Sequence, residues 1–138
     1  MKPIILALVI LQPLLAQHDP WTGEDVVRQE RIGSMTVSPD GHYAAWIKTI
    51  CDLEKDRYVG RLYLTDLGTS KHRQLVFGDG GISSPRWSPD GTRLAYTTSR
   101  TPEGVKKFPK GAQVWMLRMD GGEPRPVTKL EGGVRGFR

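Results

Sequence analysis

The sequence predicts an all-β fold: the first two four-stranded blades of an incomplete β-propeller, preceded by a signal peptide and a short lead-in helix. Three observations predict it. Ser38-Pro39-Asp40-Gly41 recurs as Ser88-Pro89-Asp90-Gly91, an interval of 50 residues. The flanks match as well: Met35-Thr36-Val37 answers Pro85-Arg86-Trp87, and Ala44-Ala45-Trp46 answers Leu94-Ala95-Tyr96. Further on, Leu62-Tyr63-Leu64 answers Val114-Trp115-Met116 at an interval of 52, so the two extra residues fall in a loop. Matched segments in constant order, with the length change confined to a loop, mark a structural repeat. Each repeat reads as four strands with turns between them, the pattern of a propeller blade.

The first 16 residues stand outside the repeat. Lys2 gives a positive start, Ile4–Leu15 is an apolar run broken only by Gln12 and Pro13, and Ala16 is small where cleavage would fall. This is a secretory signal peptide pattern. The run is too short to span a bilayer, which takes about 20 residues. Leu14 departs from the small residue preferred three before the cut. Residues 17–33 read as a lead-in segment with a short helix. Thr22 caps it, Asp25 completes a loose capping box, Glu24 and Asp25 suit the positive helix end, and Gly33 stops it. Trp21 is placed to staple this helix to the body.

Residues 34–81 read as blade 1. Its strands are Met35–Val37, Tyr43–Lys48, Leu62–Leu67 and Arg73–Phe77, with Thr49–Gly60 as a charged loop. Residues 82–138 read as blade 2 and the start of a truncated blade 3. The strands of blade 2 are Pro85–Trp87, Arg93–Thr98, Gln113–Met119 and Arg125–Thr128. Pro124 and Pro126 cannot donate to a ladder, so the last strand belongs at a blade edge. In each turn Pro39 or Pro89 presets φ, the Ser and Asp bond nearby N–H groups, and the Gly takes a left-handed conformation. Asp40 and Asp90 therefore read as turn residues, not as metal ligands. Closure takes at least about four blades, so the chain is expected to be the N-terminal part of a longer protein. A small β-sandwich of eight strands is the other reading of the same strands.

Composition bounds the function. Of 138 residues, 38% are hydrophobic and 25% charged, which suits a globular chain and excludes a disordered one. The net charge of +5 is scattered except for Lys106, Lys107 and Lys110. Those three sit in a Pro/Gly-bounded loop without interleaved aromatics, which does not read as a nucleic-acid site. The lone Cys51 has no Cys or His cluster around it and reads as a partly buried structural thiol. No metal or cofactor site is expected.

The stretch Arg86-Trp87-Ser88-Pro89-Asp90-Gly91-Thr92-Arg93-Leu94-Ala95-Tyr96 resembles the propeller repeat of Tol-system propellers and of prolyl oligopeptidase-family peptidases. Trp21-Thr22-Gly23-Glu24-Asp25-Val26-Val27 with Arg31-Ile32-Gly33 resembles the lead-in of the bacterial acylaminoacyl-peptidase-like and dipeptidyl-peptidase-like members. Val114–Arg125 with Val127-Thr128 resembles a third strand, turn and fourth strand of the same group. The resemblance implies an α/β-hydrolase domain in the same parent chain, with a Ser-His-Asp triad and a peptide substrate. The nucleophile of such a domain sits in Gly-x-Ser-x-Gly, and that motif does not occur here. Ser34, Ser38, Ser70, Ser83, Ser84, Ser88 and Ser99 lack its context. His18, His42 and His72 lack a nucleophile partner. Glu24, Glu30 and Glu54 match no substrate-amine motif and read as surface residues. The expected catalytic set in this chain is therefore none.

By its signal peptide pattern the chain is expected to be exported, periplasmic or extracellular, and free of the membrane after cleavage; the resemblance implies that it is part of a cap that gates a peptidase. Thr49–Gly60 and Ser99–Ala112 are the loops expected to meet the partner domain or substrate. The alternative is a periplasmic Tol-type propeller that binds protein and has no enzyme domain. A WD-repeat scaffold is a third reading, but no Trp-Asp pair occurs and Gly41-His42 lies inside a turn.

Overall fold

The structure, a computed structural model, describes residues 22–78 and 80–138. The expected signal peptide, His18 and Trp21 lie outside the described residues. Two antiparallel four-stranded sheets follow one another along the chain. The first contains β1 (Arg31–Val37), β2 (Tyr43–Asp52), β3 (Arg57–Asp66) and β4 (His72–Gln74) in sequence order. The second contains β5 (Ile82–Trp87), β6 (Arg93–Thr98), β7 (Gln113–Arg118) and β8 (Arg125–Pro126) in the same order. Two meandering sheets of equal order are two propeller blades.

The lead-in helix α1 spans Gly23–Val27. Thr22 and Asp25 form a full capping box: the Asp25 N–H donates to Thr22 Oγ1 and the Thr22 N–H to the Asp25 carboxylate. The helix is shorter than expected. Arg31, Ile32 and Gly33 belong to β1, because Arg31 pairs with Thr49 and Ile32 with Lys48. Gly33 thus sits inside a strand, where the register slips between Ile32 and Met35. β5 carries a comparable slip between Ser83 and Arg86. A bulge here adds twist to the first strand of each blade.

The hairpin of β2 and β3 also departs from expectation. Thr49–Gly60 is mostly ladder, continuous to Asp52 opposite Arg57. Ile50 pairs with Val59 and Cys51 with Tyr58, so β-branched and aromatic cross-strand pairs outweigh the charges nearby. Only residues 53–56 form the tip. The fourth strands are shorter than expected, and β8 is an edge as its prolines require. Leu75 N–H still donates to Leu62 O and Val127 N–H to Val114 O, both in line with their ladders.

One core joins the two sheets. Ala45, Ile47, Leu62 and Leu64 from the first pack with Ile82, Leu94, Tyr96, Trp115 and Leu117 from the second. Paired positions put Ala45 beside Leu64 and Ile47 beside Leu62 on one sheet face. They put Leu94 beside Leu117 and Tyr96 beside Trp115 on the facing one. Trp87 Nε1 donates to the Thr36 carbonyl at 3.2 Å, a hydrogen bond from blade to blade.

Candidate functional site

The strand order sorts the connections to two ends. Antiparallel neighbours place the β1–β2 and β3–β4 turns at one end of a blade, and the β2–β3 hairpin and the link to the next blade at the other. The turn end carries both Ser-Pro-Asp-Gly motifs. In each, the Gly N–H donates to the Ser carbonyl at 2.9 Å, and the Gly φ is 73° at Gly41 and 69° at Gly91. The hydroxyl of Ser38 or Ser88 donates to its Asp. Each hydroxyl also accepts a backbone N–H from the start of the next strand, Tyr43 at 2.9 Å or Arg93 at 3.0 Å.

These bonds set the acids' charge. The Ser88 hydroxyl, then the Thr92 N–H and hydroxyl, pull Asp90 down to about 2. The Ser38 hydroxyl and His42 N–H likewise lower Asp40. The Thr69 N–H, with that of Gly68, lowers Asp66. Such carboxylates stay ionised at neutral pH and cannot serve as general acids.

Between the blades at this end lies a cleft of about 370 Å³, lined among others by Asp40, Tyr43, Asp66, Lys71, Arg73 and Trp87. His72 also borders it but is not in a hairpin loop as expected. It begins β4, with its ring 6.4 Å from Trp46 and 6.3 Å from Tyr63, on the stacked pair those two form. His42 remains in its turn, and its N–H donates to Asp40. Among the described residues no group of three or more His, Cys, Asp or Glu is placed to hold a metal ion.

The other end carries the hairpin tip, the β6–β7 loop, the β4–β5 link between the blades and the segment after β8. Arg61 donates to the Gly78 carbonyl at 2.6 Å, and Arg100 to the Phe77 carbonyl at 3.3 Å. In blade 2, Gln113 donates to the Leu130 carbonyl at 2.7 Å. Its amide oxygen accepts from the Thr128 hydroxyl at 2.8 Å and the Leu130 N–H at 3.0 Å. Arg61 and Gln113 are equivalent at the interval of 52, and so are Gly78 and Leu130. Each blade therefore pins its outgoing link through the same position. The sequence contains this correspondence, but only an alignment of both links reveals it, and a charged and a neutral side chain conceal the shared role.

The β6–β7 loop is fixed at both ends. The guanidinium of Arg100 lies 5.6 Å from the Trp115 ring centroid, and Phe108 meets Trp115 edge-on at 6.4 Å. Val134 N–H donates to the Ala112 carbonyl at 2.6 Å. Glu24 and Glu30 are surface residues as expected, paired with Arg28 and Lys48. Cys51 is a half-buried free thiol in β2.

No protein-family model matches the chain. The chain is 29% identical over 113 residues, 82% of its length, to an uncharacterized peptidase, YuxL, of Bacillus subtilis, covering 16% of that protein. It is 27% identical over 122 residues, 88% of its length, to dipeptidyl-peptidase 5 of Porphyromonas endodontalis, again covering 16%. The chain thus spans about a sixth of the length of these relatives. Among solved structures, acylaminoacyl peptidase of Pyrococcus horikoshii matches 80% of this chain and 16% of its own, with a TM-score of 0.61 and 18% identity. The isopeptidase AtxE2 matches 80% and 20%, with a TM-score of 0.59 and 26% identity. A TolB-like protein of Agrobacterium tumefaciens matches 73% and 34%, with a TM-score of 0.52 and 18% identity. The resemblance to the propeller of prolyl oligopeptidase-family peptidases holds in sequence relatives and in structure. The TolB likeness, at 18% identity, extends to the fold alone.

Proposed function

We propose that this chain forms the opening blades of the propeller cap of an exported serine peptidase, and that the cap gates access of peptides to a hydrolase domain of the same parent chain. The carrying observation is the 29% identity to a peptidase over 113 residues, a stretch too long to fit in one blade. The chemistry of the chain agrees. It holds no Gly-x-Ser-x-Gly, and the described carboxylates that shift all shift downward, which suits turn bracing and not proton transfer. In this reading the Ser, Asp and His of the triad lie in the hydrolase domain, and residues 1–16 direct export.

The test is fluorophosphonate labelling of the intact protein, followed by peptide mapping. The expected label sits on a serine outside residues 1–138, with turnover of short peptides and none of long unfolded proteins. Absence of any label sinks the serine peptidase reading. A label on a serine within this chain sinks its non-catalytic role. Equal turnover of short peptides and long unfolded proteins sinks the gating role. Export predicts a mature N-terminus at Gln17 in the secreted or periplasmic fraction; a cytoplasmic protein that keeps residues 1–16 contradicts it.

A further inference from the structure

The β2–β3 hairpin end and the equivalent β6–β7 loop, both at the link end, differ in charge. Thr49–Gly60 carries Asp52, Glu54 and Asp56 against Lys55 and Arg57, a net of −1. Ser99–Ala112 carries Arg100, Lys106, Lys107 and Lys110 against Glu103, a net of +3. In the hairpin, Lys55 pairs with Asp52. In the β6–β7 loop, Lys106, Lys107 and Lys110 are exposed, and among the described residues none has an ion-pair or hydrogen-bond partner. Lys106, Lys107, Phe108 and Pro109 border a shallow hollow of about 320 Å³, with Glu131 as its one acid.

A solvated lysine loop needs no anchoring, yet this one is anchored. Phe108 rests on Trp115, and Val105 N–H donates to the Pro102 carbonyl at 3.2 Å. Gly111 lies so near the outgoing link that an added Cβ would come within 3.0 Å of the Gly132 carbonyl. Three like charges within five residues of an anchored loop raise the local potential and attract an anion. The loop backbone is ordered before a ligand arrives, so less ordering is left to binding.

We infer that Lys106, Lys107 and Lys110 form a cationic lip on the link end of blade 2 that captures acidic peptide segments. This rests on the peptidase reading and names the substrate class that the cap favours. Nucleic acid fits less well. Phe108, the one aromatic of this loop, is half-buried against Trp115, so the loop carries no exposed aromatic for a base to stack on.

The test is fluorescence anisotropy with labelled hexaglutamate and hexaglutamine probes on the intact protein, at about 20 mM and about 500 mM salt, either side of the range where screening becomes strong. Hexaglutamate is expected to bind more tightly at low salt and to lose that advantage at high salt. Lys106→Gln, Lys107→Gln and Lys110→Gln combined should weaken hexaglutamate binding by roughly fivefold, as three exposed charges allow. The same three positions changed to Arg should retain it. Unchanged thermal midpoints in both variants would place the effect in binding. Equal affinity for the two probes overturns the inference, and so does competition by oligouridine as strong as by hexaglutamate. Anisotropy needs no turnover, so equal affinities sink the acidic preference alone. A failed fluorophosphonate label sinks the peptidase reading alone.

Discussion

Gly60 shows how closely the two blades meet. A Cβ built there would lie 2.2 Å from the Ile82 carbonyl oxygen and 3.0 Å from Ile47 Cγ2. The near neighbour is backbone, so it cannot swing aside, and the added methyl must push the sheets apart. Gly60→Ala should therefore cost about 2–3 kcal/mol, read as a lower urea midpoint of the intact protein. Gly23→Ala meets nothing within 4 Å and has an ordinary φ, so it should change the midpoint little. A second residue-scale effect follows from Asp90. Its folded pKa of about 2 lies below the ordinary 3.8, so the carboxylate stabilises the fold above pH 4 and loses that contribution as pH falls toward 2. Asp90→Asn should then lower the urea midpoint at pH 7, and the gap from wild type should close between pH 4 and 2. A gap that stays constant over that range would mean that the Ser88 and Thr92 bonds do not favour the charged form.

At the scale of elements, what the sequence reveals is set by how local the cause is. The Ser-Pro-Asp-Gly turns are legible because Pro, Asp and Gly each answer a need within four residues. The edge position of β8 is legible because Pro124 and Pro126 remove donors. The length of the β2–β3 hairpin is not, because Ile50–Val59 and Cys51–Tyr58 decide it across the turn while Asp52, Glu54, Lys55 and Asp56 suggest a loop. The link-pinning pair is less legible still, since Arg61 and Gln113 share a donor role but differ in charge and shape. Gln113 is fully buried and holds three bonds to the segment after β8. Gln113→Leu keeps the bulk and strands the Leu130 N–H, while the Leu130 carbonyl keeps the Gly133 N–H and the Thr128 hydroxyl keeps the Val114 N–H. It should cost about 1–2 kcal/mol and speed hydrogen exchange at Leu130. Protection at Leu130 equal to wild type would mean that the link is held by the Val134–Ala112 bond instead.

At the scale of the whole molecule, burial is lopsided. The face between the blades is closed: Ala45, Leu62, Leu94 and Tyr96 are wholly inaccessible. β1 is open, with Ile32 at 74%, Met35 at 64% and Val37 at 49% exposure. Phe77, Val127 and Leu130 are also more than half exposed. The repeat explains this, because a blade buries its two faces only against a blade on each side. An unpaired first strand with apolar residues facing water is a template for association. Residues 22–138 expressed alone should therefore form aggregates or soluble oligomers, and their thermal transition should be broad and dependent on concentration. Sedimentation and calorimetry over a tenfold range of concentration would read both. A sharp two-state transition in a monomer would mean that the two blades form a sufficient core by themselves. The closed inter-blade face would then be the source of stability, and the exposed strand merely tolerated.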